Sequence, residues 1–202
     1  MKSMKRTSFS IFAAALLLHA APGLASNTLI PSGVPVAVAK SPLTVTPDRE
    51  WNKMGARPGR NSETWTIDGD GLNDVTFYGG IETGRTLFRE VSKKAKPLPH
   101  FSATMLLTDL PTLFADSYSI ALDTQLMTID SVEPTAFLGQ KGIRFAFTFS
   151  RLNEEVRRKG EAVAAIVDGK LYMITFEAPD VFYFQRDQPA YRAIVTAATI
   201  AR

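Results

Sequence analysis

Two glycine-rich stretches hold most of the residues that could do chemistry. The segment GGIETGRT, Gly79 to Thr86, has the spacing of the phosphate-binding loop G-x-x-x-x-G-K-[ST], except that Arg85 stands at the lysine position. That loop needs a helix directly behind it, and here LFREVSKKAKPLP runs into prolines instead. A glycine-bent strand is therefore the expectation, because isolated glycines within strands mark bulges. The second stretch, DGDGLND, offers Asp68, Asp70, Asn73 and Asp74 as hard oxygen donors for calcium. Leu72 fills the third ligand position of an EF-hand and no glutamate follows at the twelfth, so the reading is a polar turn and no metal site.

Histidine numbers remove several enzyme classes. Of the two histidines, His19 lies in the N-terminal apolar run, which leaves His100 in PLPHFSAT as the sole histidine of the remaining chain. A multi-histidine metal centre is ruled out, and a Ser/His/Asp triad would have to be built around that one residue without a G-x-S-x-G elbow. Glu154 and Glu155 sit beside Arg151, Arg157 and Arg158 in a polar turn, where solvated charge is the ordinary reading. Asp168 and Glu177 end one strand about 30 Å apart, too far to act together on a substrate. No catalytic residue and no cofactor is assigned.

Two surfaces remain as binding candidates. Arg85, Arg89, Lys93, Lys94 and Lys96 gather charge on one linker, with Glu90 the only acid from Arg85 to Lys96. Such a local field suits anionic lipid headgroups, a polysaccharide or an acidic protein of the cell envelope. The aromatic run Phe182, Tyr183 and Phe184 follows APD, and its three rings cannot all face one side of a strand.

The elements that must carry these residues follow from patterning. The chain has 202 residues and a formal net charge of +3. Residues 1–25 have the layout of an export signal, with Lys2, Lys5 and Arg6, an apolar run from Ile11 to Ala21, and a small-residue site at GLAS. Cleavage is expected after Ala25. The apolar run falls short of the ~20 residues that span a bilayer, and no later stretch reaches that length, so no transmembrane segment is expected after cleavage. Those first residues hold three basic side chains and no acid, so the rest of the chain is neutral and nucleic acid is not an expected partner. There is no cysteine, hence no disulfide framework.

Residues 26–47, with four prolines, read as an extended leader, and 48–202 as a single domain. Trp51 is the expected anchor of the basic segment REWNKMGARPGR. Strands are expected at 62–67, 75–81, 125–132, 143–151, 161–167 and 170–177 from alternating or β-rich runs, most plainly Ile143, Phe145, Phe147 and Phe149. On 170–177 both faces are apolar, so that strand is expected to be covered on both sides. TDLPTLFADSYS places Leu110, Leu113, Phe114 and Tyr118 at helical spacing behind a Thr108 cap. A final helix is expected with Asp187 as N-cap, Pro189 in its first turn, and Tyr191, Ile194, Val195 and Ala198 on one face.

Hairpin-joined strands with one helix between strand groups and one at the end imply an α+β fold, a single antiparallel sheet of about six strands covered by helices. In the C-terminal half, GIRFAFTFSR, a charged turn, AAIVDGKLYMITFEAP, the FYF run and a closing helix resemble the order of elements in PsbP-like domains. That resemblance implies an antiparallel sheet flanked by helices in accessory and binding roles, and it brings no catalytic motif. The whole chain also resembles small exported bacterial proteins of unknown function, through ETWTIDG and DGKLY. The expected function is a noncatalytic exported accessory or binding domain, periplasmic or secreted. An envelope carrier of an apolar small molecule or lipid, held near FYF, is the alternative, and an enzyme without a recognisable motif comes third.

Asp168 and Gly169 separate two β-rich runs by two residues, the spacing of a type I′ hairpin whose turn positions need φ > 0. Gly169→Val is expected to destabilise the protein by about 1 kcal/mol or more, because a β-branched side chain is poorly tolerated there. A melting temperature equal to wild type would refute the turn.

Overall fold

The computed structural model describes residues 27–92, 94–122, 124–151 and 154–201. The expected signal segment lies outside the described residues. The strands in chain order are β1 (Thr28–Ile30), β2 (Val36–Ala37), β3 (Leu43–Val45), β4 (Trp51–Lys53), β5 (Ser62–Thr66) and β6 (Asp74–Ile81). After helix α1 (Leu110–Leu122) come β7 (Gln125–Phe137), β8 (Gln140–Ser150), β9 (Arg157–Val167) and β10 (Lys170–Pro179). Helix α2 (Tyr183–Thr196) and β11 (Thr199–Ile200) close the chain.

The α+β class and the antiparallel sheet hold, but the sheet has eight strands, not six, in the order β1-β4-β5-β6-β10-β9-β8-β7. A separate three-stranded sheet, β11-β3-β2, lies beside it. The extra strands are two or three residues long, too short to display a period-2 pattern among prolines. Within residues 27–47, β1 pairs with β4, β3 pairs with both β2 and β11, and Val38, Ala39, Leu43 and Val45 are fully buried.

The hairpin of β9 and β10 forms as its turn residues require, with φ of 50° at Asp168 and 72° at Gly169. β10 is buried from Leu171 to Pro179, consistent with its apolar pattern on both faces. On one face Leu113, Phe114 and Tyr118 of α1 meet Phe145, Phe147 and Phe149. On the other, Ala190, Tyr191 and Ile194 of α2 join the small sheet over Trp65, Phe77, Ile174 and Phe176. Alternation along each strand thus feeds two separate cores, one per face.

Both helix starts differ from expectation. A single 3-10 turn at Leu107–Asp109 precedes α1, with Asp109 accepting from the Leu106 N–H at 2.9 Å, so Thr108 is not the cap. Helix α2 begins at Tyr183, four residues before Asp187, which is buried within the helix, and Pro189 is an exposed internal position of the same helix. The chain reverses into it through Phe182, at φ 78° and ψ −60°, where the Tyr183 N–H donates to the Val181 carbonyl at 3.1 Å. Phe184 then stacks on Phe176, and Tyr191 stacks on the same ring. Packing of these rings against β10 overrides the local capping signal at Asp187.

Gly160 stands opposite Phe147 in the β8–β9 ladder, and a Cβ on it would lie 2.0 Å from the ring's Cζ. Gly160→Ala is expected to destabilise the protein by about 1–3 kcal/mol, since the ring must leave its place in the α1-side core. Denaturant unfolding measures this, and a midpoint equal to wild type would contradict the packing.

Candidate functional site

The β5–β6 hairpin has two ends with opposite electrostatics. At its turn, three of the four residues considered for calcium, Asp68, Asn73 and Asp74, are drawn into hydrogen-bond networks. The Asn73 Oδ1 accepts from the Ile67 and Asp68 N–H groups, both at 2.9 Å, and its amide donates to Asp68 at 2.7 Å and Asp187 at 2.9 Å. Arg186 pairs with both Asp68 and Asp187. Asp74 accepts from the Gly71 N–H at 2.8 Å, and Arg158 donates to the Gly71 carbonyl while pairing with Glu154 at 3.3 Å. Arg158 is buried and Arg151 holds Glu177 at 3.0 Å, so neither is the solvated charge expected from its sequence neighbours. Among the described residues no group of three or more His, Asp or Glu side chains is placed to hold a metal.

Sequence distance hid a carboxyl pair at this end. Asp74 of β6 stands directly opposite Glu177 of β10, and the Tyr118 hydroxyl of α1 donates to Glu177 above them. Burial, and then the neighbouring Glu177 charge, push the Asp74 carboxyl up to about 7. Burial likewise pushes the Tyr118 phenol up, with Glu177 adding to it.

The other end of the hairpin opens into a cleft of about 670 Å³. Five cationic side chains line it, Lys40, Arg57, Arg60, Arg85 and Arg89, against two carboxylates, Glu82 and Glu90. Lys40 projects from a buried turn in which Ala39 and Lys40 take φ of 55° and 52°. Arg57 and Arg60 come from the β4–β5 loop, and Arg85 and Arg89 from the segment after β6. The loops are tied by main-chain bonds, Arg89 N–H to Pro58 O at 2.8 Å, Arg85 N–H to Glu82 O at 3.0 Å and Phe101 N–H to Arg85 O at 2.9 Å.

Arg85 and Arg89 of the predicted basic linker are therefore brought together. Lys94 and Lys96 are exposed and do not line the cleft, and Lys93 lies outside the described residues. Glu82, three residues before Arg85, meets Lys170 at 3.4 Å. Lys40, Arg57 and Arg60 were missed because they reach the cleft from other parts of the chain, Lys40 from the turn between β2 and β3 and the two arginines from the β4–β5 loop. The GGIETGRT segment bends as a bulge, with the β6–β10 register shifting opposite Gly79 and Gly80, and Gly80 at φ 66°. No helix follows it directly, as a phosphate-binding loop requires. His100 is half exposed with its Nε2 3.9 Å from Glu90.

The aromatic candidates part company. Phe182 is 63% exposed, and Arg186 lies over it and Tyr183, 5.0 Å from each ring centroid. Phe184 fills the space under α2 and borders a smaller cavity of about 300 Å³ between α2 and β7–β9. Charges there satisfy one another: Glu161 accepts from Gln188 and Arg192, both at 2.7 Å, and lies 3.6 Å from Arg144.

No family model and no curated protein matches the sequence. The fold is shared with cyanobacterial PsbP (CyanoP) from a Synechocystis strain, whose solution structure superposes with a TM-score of 0.53 at 14% identity, over 91% of this chain and 99% of that one. LpqN, described as involved in cell envelope biogenesis of Mycobacterium tuberculosis, matches with a TM-score of 0.36 at 11% identity, over 91% of this chain and 88% of that one. The PsbP-like resemblance expected for the C-terminal half thus extends across the described chain.

The carboxyl pair gives a pH signature. Asp74 has a folded pKa above its unfolded value of 3.8, so its contribution to stability is fully present below that value and is lost as pH rises through about 7. Asp74→Asn keeps an acceptor for the Gly71 N–H and cannot ionise. The variant is expected to melt above wild type at about pH 8, with the gap closing toward about pH 4. A gap independent of pH in paired melting curves would refute the assignment.

Proposed function

We propose that this protein is an exported, noncatalytic accessory or binding domain of the bacterial cell envelope, and that the basic cleft at the open end of the β5–β6 hairpin is its binding face. One observation carries the reading: Lys40, Arg60, Arg85 and Arg89 line a single cleft and form no ion pair with any other described residue. Away from the cleft, Arg151, Arg158, Arg186 and Arg192 are each paired with a carboxylate. Cations held on tied loops without partners raise the local concentration of anions and speed their encounter. The N-terminal signal pattern supports export, and no helix among the described residues is long and apolar enough to cross a membrane.

Fractionation and crosslinking test the proposal. The mature N-terminus is expected at Ser26, with the protein in the periplasmic or culture-fluid fraction; full-length chain retained in the cytosol would overturn the assignment. In intact cells, Arg60→Glu, Arg85→Glu and Arg89→Glu together are expected to reduce crosslinking to envelope components by about tenfold at low salt, with the difference shrinking as salt screens the charges. Equal crosslinking by a folded variant would remove the cleft from the binding role.

A further inference from the structure

We propose that the cleft is a phosphoryl-binding site, which takes the phosphomonoester or phosphodiester group of a larger molecule and holds it by arginine side chains. The inference rests on the cleft being the binding face and assigns the ligand's chemistry.

Charge comes first. Both carboxylates in the lining already have neighbours, Glu82 the Lys170 ammonium and Glu90 the His100 imidazole, whereas four of the five cationic groups have no carboxylate partner among the described residues. An anion entering the cleft therefore displaces no existing pair with those four.

Arg57 supplies the second observation. Its Nη2 lies 3.6 Å from the buried Glu63, while its Nη1 is buried with no hydrogen-bond partner. A buried guanidinium N–H without an acceptor is costly, so the Arg57 head, on a residue that lines the cleft, is one acceptor short.

The chemistry of the donors narrows the class. Four of the five cations are arginines, whose planar forks match the edges of a tetrahedral oxyanion. The main-chain amides at the end of the glycine-rich segment are already engaged, unlike those of a phosphate-binding loop. The Gly84 N–H donates to Phe101 O at 2.8 Å and the Arg85 N–H to Glu82 O, so both are taken. The neutral side chains are taken too: the Thr86 hydroxyl donates to Phe88 O at 2.7 Å, and the Asn61 amide to Gly79 O at 3.2 Å. Recognition falls to the cations. A volume of about 670 Å³ exceeds what inorganic phosphate fills and leaves room for an esterified group such as glycerol phosphate.

Calorimetry on the purified protein, expressed from the full-length chain, tests this with glycerol phosphate as probe and glucuronate as a carboxylate of comparable size. Flotation with phosphatidylglycerol against phosphatidylcholine vesicles separates the two sources of the same group. Saturable binding of glycerol phosphate is expected, weakened at least ~10-fold by Arg60→Gln with Arg85→Gln, since each removes a charge-assisted hydrogen bond. Lys94→Gln, outside the cleft, should leave it unchanged. Selective flotation with phosphatidylglycerol would assign the group to a lipid headgroup, and glycerol phosphate binding without flotation to a soluble ester; both support the proposal. It is overturned by no saturable binding of either phosphoryl probe, by glucuronate binding equally well, or by a double variant that is folded and binds as wild type does. If phosphoryl binding fails while crosslinking in cells still needs the cleft arginines, the ligand class falls and the binding role stands. If crosslinking ignores those arginines, the binding role itself falls.

Discussion

The buried carboxylate of Glu63 is the constraint on which the cleft and the N-terminal segment both depend. It is 1% exposed, in the middle of β5, and it accepts from the Trp65 indole at 2.9 Å and the Ala39 N–H at 3.2 Å while pairing with Lys53 at 3.0 Å and Arg57 at 3.6 Å. A charge this deep is tolerable only when its oxygens are fully engaged, and removing one partner of such a set costs about 3–5 kcal/mol. Engaging them has structural consequences. The Ala39–Lys40 turn must take its left-handed backbone to present the Ala39 N–H, which aims the chain so that Lys40 reaches the cleft. Arg57 is drawn inward with one nitrogen spoken for and the other without a partner.

The two ends of the β5–β6 hairpin share one backbone and differ in how their charges are resolved. At the turn, Asp68, Asp74, Glu177 and Asp187 each have a partner among the described residues, and three arginines distant in sequence close the network: Arg151, Arg158 and Arg186. That closure fixes α2 over the sheet through Asp187 and Asn73. The cost of bringing two carboxyls together there is met by protonation, because Asp74 opposite Glu177 holds its proton up to about pH 7. At the open end the excess cations remain, carried on loops too well tied to fold onto distant acids. The asymmetry separates an end whose charges are matched from an end with excess cations within a single supersecondary unit.

Much of the fold was legible because its signals are local. Ile143, Phe145, Phe147 and Phe149 alternate, so β8 declares its core face without reference to any other strand. Asp168 and Gly169 accept positive φ, and that one dipeptide sets the β9–β10 register. The four apolar residues of α1 sit at helical spacing and all four are buried. By contrast β1, β2, β3, β4 and β11 are two or three residues each and exist only because another segment pairs with them.

The sequence by itself determined the class of fold, the main hairpins and the neutrality of residues 26–202, since each depends on residue type and near-neighbour spacing. Tertiary structure alone decided the site. Of the predicted linker residues only Arg85 and Arg89 reach the cleft, and their companions Lys40, Arg57 and Arg60 come from segments some 25 to 50 positions away. Asp187 and Asp74 each read locally as a cap or a turn residue, yet one became a buried link to Asn73 and the other half of a carboxyl pair. Which charges are matched and which stay free is a property of three-dimensional neighbours, and a one-dimensional pattern carries no information about distances across a sheet.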